Sequence, residues 1–287
     1  QKKQQQNNGF ELKKGVLKAS FFCIHFFTMT GNLYVTVVKT SPYKTSPYKT
    51  SMPSNASDPS TVFHQLITAL QQVLPSANLA KTYVPLLSKP NQPFYLWLID
   101  ADFCHEDLTP TVIENLWNNC PYWVFAWASG QVLAQYILQQ PQMVRNKVVM
   151  DFGAGSGIVG IAAKMAGAKR VICCDIDSVS LTSCQANAQL NGVTAELLDN
   201  LFELKQQFGM DKVDVLLVAD VLYDKANLPL LDVFLQYAHD VWVADSRVKN
   251  FAHPRYHKVT TLDNTTTLPD MDEAKQFNQV VLYRSTD

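Results

Sequence analysis

From Val148 onward, short apolar runs alternate with helical segments, and that alternation leaves few folds open. The runs Val148–Phe152, Arg170–Asp175, Thr194–Leu198, Val213–Ala219 and Val241–Ala244 read as strands. Between them, Ile158–Ala166 reads as a helix stopped by Gly167, Ser178–Leu190 as a helix ended by Asn191–Gly192, and Leu228–Tyr237 as a third. Strands that are apolar along their whole length are buried on both faces. The pattern therefore predicts an α/β, Rossmann-like, mostly parallel sheet with helices on both sides. Two further runs, Lys258–Leu262 and Gln279–Arg284, are joined without a helical pattern and are expected to form an antiparallel C-terminal edge.

Ahead of the sheet the character of the chain changes twice. Residues 1–51 contain "QKKQQQNN", a tandem "TSPYK" at Thr40–Lys44 and Thr45–Lys49, and the apolar run Ala19–Met29. That run follows Lys13, Lys14 and Lys18, as in a secretory signal, but His25 and Thr28 interrupt it and no small-residue cleavage site follows. It is also far short of the roughly 20 apolar residues a membrane span needs. Residues 1–51 are thus expected to be a disordered leader, or an extension upstream of a start at Met52. Residues 52–118 read as a small, mainly helical segment. Val62, Phe63, Leu66, Ile67, Leu70, Val73 and Leu74 recur at helical spacing up to Pro75. Phe94–Asp100 reads as a strand, and Thr109–Trp117 as a capped helix with Pro110 in its first turn. Residues 119–287 would form the sheet domain.

Charge and cysteine content exclude several classes. Lys and Arg number 24 against 25 Asp and Glu, so the basic footprint of a nucleic-acid binder is missing. The 6 cysteines lack the paired spacing of a disulfide framework or a zinc site, which favours a reducing, cytoplasmic setting. Cys104, His105 and Glu106 stand together, but three sequence neighbours do not readily face one ion, and no metal is expected.

The ligand signal lies in Val148–Gly157, "VVMDFGAGSG". In open α/β sheets ligands bind beyond the carboxyl ends of the strands, at the switch point of strand order. A dinucleotide fingerprint, G-x-G-x-x-G, would need its third glycine at position 158, which is Ile158. The glycines run instead as Gly153, Gly155 and Gly157, with Ala154 between the first two and Asp151 ahead of them. A carboxylate there suits a ligand bearing a cation rather than a diphosphate. S-adenosylmethionine, with an ammonium, a sulfonium and no phosphate, fits. Asp151 would hold the ammonium directly or through water. Asp175, at the next strand end, would accept both ribose hydroxyls, Ile176 would pack on the adenine face, and Asp199 would take the adenine amino group.

The stretches "VVMDFGAGSG", "VICCDID", "ELLDN" and "VDVLLVADVLYD" resemble the class I, seven-stranded S-adenosylmethionine-dependent methyltransferases. "PYWVFAWASGQVLAQYIL" (Pro121–Leu138), "ADVLYD" (Ala219–Asp224) and "ADSR" (Ala244–Arg247) are similar, more narrowly, to the small protein-lysine methyltransferases that act on the β-subunit of electron transfer flavoprotein. The likeness runs from about Pro121 to the C-terminus. It implies that Trp127, Ser129 and Gly130 flank the methionine end of the cofactor and that Asp220 and Tyr223 line the methyl-transfer site. Trp123 is expected in the core, and Asp224 as a cap on the following turn. Enzymes that methylate planar nitrogens carry an Asn/Asp-Pro-Pro-aromatic motif at this place. Here the middle pair is Val221–Leu222, so an sp³ amine is the expected acceptor and a flipped base is not.

The resulting expectation is an N-methyltransferase acting on protein lysine, with a lysine-bearing protein partner, no nucleic acid and no membrane. A ribosomal protein or a small amine such as a pyridine carboxamide is the alternative acceptor. Outside this class stand an NAD-dependent oxidoreductase, disfavoured by Asp151 and Ile158, and a non-catalytic scaffold, disfavoured by the intact acids. His239, His253 and His257 are expected at the surface rather than as the base.

Overall fold

The computed structural model describes residues 58–286, apart from 90, 104–107, 224, 249–250, 264–265 and 271–274. The expectations for 1–51, Met52, Cys104–Glu106 and Asp224 lie outside the described residues.

The chain runs α1 (Pro59–Val73), β1 (Leu79–Tyr83), β2 (Tyr95–Ile99), α2 (Pro110–Asn118), α3 (Ala128–Gln139), β3 (Val148–Phe152), α4 (Ile158–Met165), β4 (Arg170–Cys174), α5 (Ser178–Leu190) and β5 (Glu196–Leu198). It continues with α6 (Leu204–Phe208), β6 (Val213–Ala219), α7 (Leu230–Tyr237), β7 (Ala238–Asp245), β8 (Tyr256–Asp263) and β9 (Gln279–Ser285). The seven-stranded sheet has the order β5-β4-β3-β6-β7-β9-β8. β3 to β7 pair in parallel, and β9 inserts antiparallel between β7 and β8.

Strand periodicity sends alternate residues to opposite layers. Val149, Val171, Cys173, Leu197, Val215 and Leu217 pack into one buried cluster with α3, α4 and α5. Met150, Ile172, Cys174, Leu198, Leu216 and Val218 pack into the other, with Leu204 of α6 and Leu231 and Phe234 of α7. Continuous apolar strands thus become the middle layer of three, as their composition requires.

The N-terminal segment departs from the expectation of a mainly helical unit in one respect: Leu79–Tyr83 pairs with Tyr95–Ile99 as an antiparallel hairpin. The five residues of β1 carry Lys81 and Thr82, and only Leu79 is buried, which hides the strand from a hydrophobicity reading. The hairpin is fastened to α5 by two asparagines. Asn187 Oδ1 accepts the Trp97 N–H at 2.7 Å, while its Nδ2 donates to the Ser156 carbonyl at 2.9 Å. Asn191 Oδ1 accepts the Tyr95 N–H at 3.1 Å and its Nδ2 donates to the Tyr95 carbonyl at 2.7 Å. Asn187 is wholly buried, so each partner left unpaired by its loss would cost about 1–3 kcal/mol. Because Ser156 sits in the glycine turn, the segment braces the turn as well as covering α5.

Candidate active site

Strand order reverses at β3, with β4 and β5 on one side and β6 and β7 on the other. The turn after β3 therefore lies at the switch point, where the crevice of such sheets opens. Gly153, Gly155 and Gly157 all have positive φ, at 66°, 53° and 76°. Gly157 is the left-handed cap of α4. The Gly153 and Ala154 N–H groups both donate to the Cys174 carbonyl, at 2.8 and 3.2 Å, which ties the turn to the end of β4.

Acids stand at five consecutive strand ends: Asp151 in β3, then Asp175, Asp199, Asp220 and Asp245 at β4 to β7. Their environments differ. Asp151 is only 2% exposed, and its Oδ2 accepts the Gly160 N–H at 2.8 Å. One oxygen is thus committed to an amide in the first turn of α4. Burial, opposed by that hydrogen bond and reinforced by the charge of Asp175, pushes it up to about 7. Asp175 is half-buried; its Oδ2 accepts the Gly155 N–H and its Oδ1 the Asp177 N–H, both at 3.0 Å. Burial and the neighbouring Asp177 raise it to about 6 despite those two donors. Ile176 is 50% exposed beside it, and Asp199 is exposed.

On the other side of the switch point, Asp220 follows β6 with φ at 51°, an uncommon conformation for a residue with a side chain. It is held there from three directions. Its Oδ2 accepts the Ser129 N–H at 3.0 Å, and its Oδ1 accepts the hydroxyls of Ser129 at 2.5 Å and Ser246 at 2.9 Å. Trp127, the N-cap of α3, supplies no side-chain cap, so Asp220 satisfies an orphan amide of that helix from across the sheet. Burial raises the Asp220 carboxyl, while Ser129, the Arg247 guanidinium and Ser246 pull it down.

Aromatic rings flank this carboxylate. Trp127 is half-buried, its Nε1–H donates to the Tyr122 carbonyl at 3.0 Å, and its ring lies 6.2 Å from that of Tyr122. Tyr122 lies 6.0 Å from Tyr223, which is 37% exposed. Arg247 stacks on Phe277 at 3.9 Å and approaches Trp127 at 6.0 Å. Gly130 serves helix packing: a Cβ there would come within 3.0 Å of Ile158 Cγ2 in α4. Trp123 is in the core, at 2% exposure. His239 and His257 are exposed, whereas His253 is half-buried against Asp232 of α7, at 3.3 Å. The sequence alone does not single out Ser246, Arg247, Tyr122 or Asp245. The signal for the first two was present, since "ADSR" ends the strand beside "ADVLYD".

The glycine turn at the switch point and the carboxylates along the strand ends define the fold of the class I methyltransferases. The profile of a family described as ribosomal protein L11 methyltransferase (PrmA) matches residues 131–233. The human electron transfer flavoprotein beta subunit lysine methyltransferase is 39% identical over 114 residues, covering 39% of this chain and 42% of that protein. The Caenorhabditis elegans homolog of that enzyme is 30% identical over 172 residues, 50% of this chain and 70% of the relative. A ribosomal protein L11 methyltransferase of Acinetobacter baumannii (strain SDF) is 45% identical over 84 residues, 28% of this chain and 26% of that one. The chain belongs to the electron transfer flavoprotein beta subunit lysine methyltransferase family. It spans about half the length of the mammalian relatives it matches, 42% of the human and 49% of the mouse protein. Among the described residues no helix is long and apolar enough to cross a membrane.

Proposed function

We propose that this chain transfers a methyl group from S-adenosylmethionine to the amine of a lysine side chain on a protein, one resembling the electron transfer flavoprotein β-subunit. The observation that carries the reading is Asp220: a carboxylate in a left-handed backbone position, clamped by Ser129 and Ser246, one strand over from the glycine turn. The turn itself fits the cofactor. A Cβ at Gly155 would meet nothing nearer than the Gly153 carbonyl at 4.0 Å, so the backbone is open to close approach by a ligand. Asp175 has lone pairs left for two ribose hydroxyls, Ile176 offers an apolar surface, and Asp199 an exposed acceptor. Asp151, with one oxygen on Gly160, reaches an ammonium through water.

When bound, S-adenosylmethionine supplies a methyl carbon already activated by sulfonium. The chain's part is to orient the amine in line and to strip its water. A lysine amine has a reference pKa of about 10.4 and must shed a proton before it attacks. Asp220 holds the ammonium and then passes its proton outward, Tyr223 lines the approach with Tyr122 and Trp127, and their rings exclude water. Ribosomal protein remains the second acceptor class, favoured by the match of the L11 methyltransferase profile across residues 131–233. The described cysteines Cys173, Cys174 and Cys184 are free thiols, which supports a reducing, cytoplasmic setting in this reading.

The test is methyl transfer from tritiated S-adenosylmethionine with the full chain, offered electron transfer flavoprotein β-subunit, ribosomal protein L11 or a small pyridine, and the modified residue located by mass spectrometry. Label on a lysine of the first is the expected result; label on the small amine alone overturns it. Cofactor binding should also depend on pH. Asp175 and Asp151 bind the ligand best as anions, and burial raises them to about 6 and about 7. Affinity for S-adenosylhomocysteine measured by calorimetry should therefore fall as pH is lowered through that range. A flat profile would remove both acids from the ligand.

A further inference from the structure

Asp245 ends β7 and is wholly buried. Its Oδ1 accepts the N–H groups of Arg247 at 2.8 Å and Val248 at 2.6 Å, which folds the chain back just beyond the strand. Its Oδ2 is buried without a hydrogen-bond partner. A negative charge is poorly solvated by such an arrangement. A second carboxylate stands next to it. β6 and β7 pair as far as Ala219 and Ala244, and the Asp220 N–H donates to the Ala244 carbonyl at 3.1 Å, so Asp220 and Asp245 occupy neighbouring strand ends. Two carboxylates so placed share one proton more readily than both ionise.

The donors decide which of them keeps it. Asp220 is met by an amide, two hydroxyls and the field of Arg247. Asp245 is met by the amides of Val248, Arg247 and, most weakly, Leu222, and its Oδ2 has no hydrogen-bond partner. Among the described residues, Tyr283 of β9 also faces the pair, its phenol raised by burial and by the Asp245 charge. Burial first, and then the charge of Asp220, push Asp245 up to about 7.

We propose that Asp245 is a positioning residue of the acceptor site. As a buried, neutral carboxylic acid it ties down the turn that brings Ser246 to Asp220, and it leaves the single negative charge of the pair on Asp220. Its effect on turnover rests on the reading of Asp220 as the acceptor-side carboxylate; its protonation does not. Once Asp245 ionises, a second negative charge beside Asp220 favours the ammonium form of the acceptor and opposes loss of its proton.

The experiment compares Asp245→Asn, a neutral mimic of the acid, with Asp245→Ala in the full chain. Urea midpoints are measured between about pH 5 and about pH 8, where an acid neutral in the fold but ionised in the unfolded chain loses stability as pH rises. The wild-type midpoint should fall across that window, and Asp245→Asn should fall less. In methyl transfer, Asp245→Ala should lose about tenfold to a hundredfold in kcat through misplacement of Ser246 and Asp220, with cofactor affinity retained, and Asp245→Asn should recover most of that loss. An Asn variant with the same urea dependence as wild type, or with kcat as low as the Ala variant, overturns the proposal. Full turnover in Asp220→Asn would instead sink the acceptor-side reading, and the urea series would still report where the proton sits.

Discussion

Asp220→Asn is expected to lower kcat on a lysine acceptor by about two orders of magnitude or more, the scale of losing a positioned proton acceptor. Cofactor affinity should change by less than about threefold if the acids proposed to meet the cofactor, Asp151, Asp175 and Asp199, lie as assigned on other strand ends. The substitution isolates charge from shape. Asn tolerates the left-handed φ of 51° better than other side chains do, so the backbone after β6 has no reason to move. The Ser129 and Ser246 hydroxyls, which donate to Oδ1 at 2.5 and 2.9 Å, can turn to suit an amide. What disappears is the anion proposed to hold the acceptor ammonium and to take its proton. Calorimetry with S-adenosylhomocysteine and a single-turnover methyl-transfer assay on the same preparation separate the two effects. Loss of cofactor affinity equal to the loss of turnover would move Asp220 out of the acceptor site and into the scaffold.

The sheet was legible because its central strands are mostly apolar and its helices carry stop signals. Ser178–Leu190 and Val213–Ala219 coincide with α5 and β6, and the antiparallel edge agrees with the lack of a helical pattern in the sequence between Leu262 and Gln279. Strand ends were read short where polar residues begin: β7 starts at Ala238, and His239 and Asp240 broke the apolar run that suggested Val241. The glycine turn was legible because three glycines at alternate positions follow an apolar strand, and all three take positive φ. The donors around Asp220 were not. Ser129 lies 91 positions away along the chain and Ser246 lies 26, and nothing local in either serine announces a partner at that distance. Asp151 illustrates the other limit. Sequence predicts it beside the ligand, and the structure adds that it is 2% exposed and spends an oxygen on Gly160.

Two glycines of the turn should separate folding from binding. Gly157 has φ of 76°, and a Cβ there would come within 3.0 Å of Cys184 Cα and 3.2 Å of Cys184 Cβ and Sγ in α5. A helix backbone atom cannot rotate aside as a side-chain tip can. The left-handed conformation costs an alanine about 1–2 kcal/mol, and overpacking against α5 adds about 1–3 kcal/mol. Gly157→Ala should thus lose about 2–5 kcal/mol of stability, a fall of about 5–20 °C in Tm for a chain of this size. Gly155 has φ of 53°, but its Cβ would project into open space, with the Gly153 carbonyl 4.0 Å away. Gly155→Ala should therefore lose only the conformational term, about 1–2 kcal/mol. Its methyl group would stand where the proposed ligand approaches the backbone, beside the N–H that Asp175 anchors at 3.0 Å. A loss of about 1.4–2.8 kcal/mol of contact there weakens S-adenosylhomocysteine binding about tenfold to a hundredfold. Thermal melts and calorimetry on the two variants read these effects independently. Native cofactor affinity in Gly155→Ala would mean that the ligand does not lie against this turn.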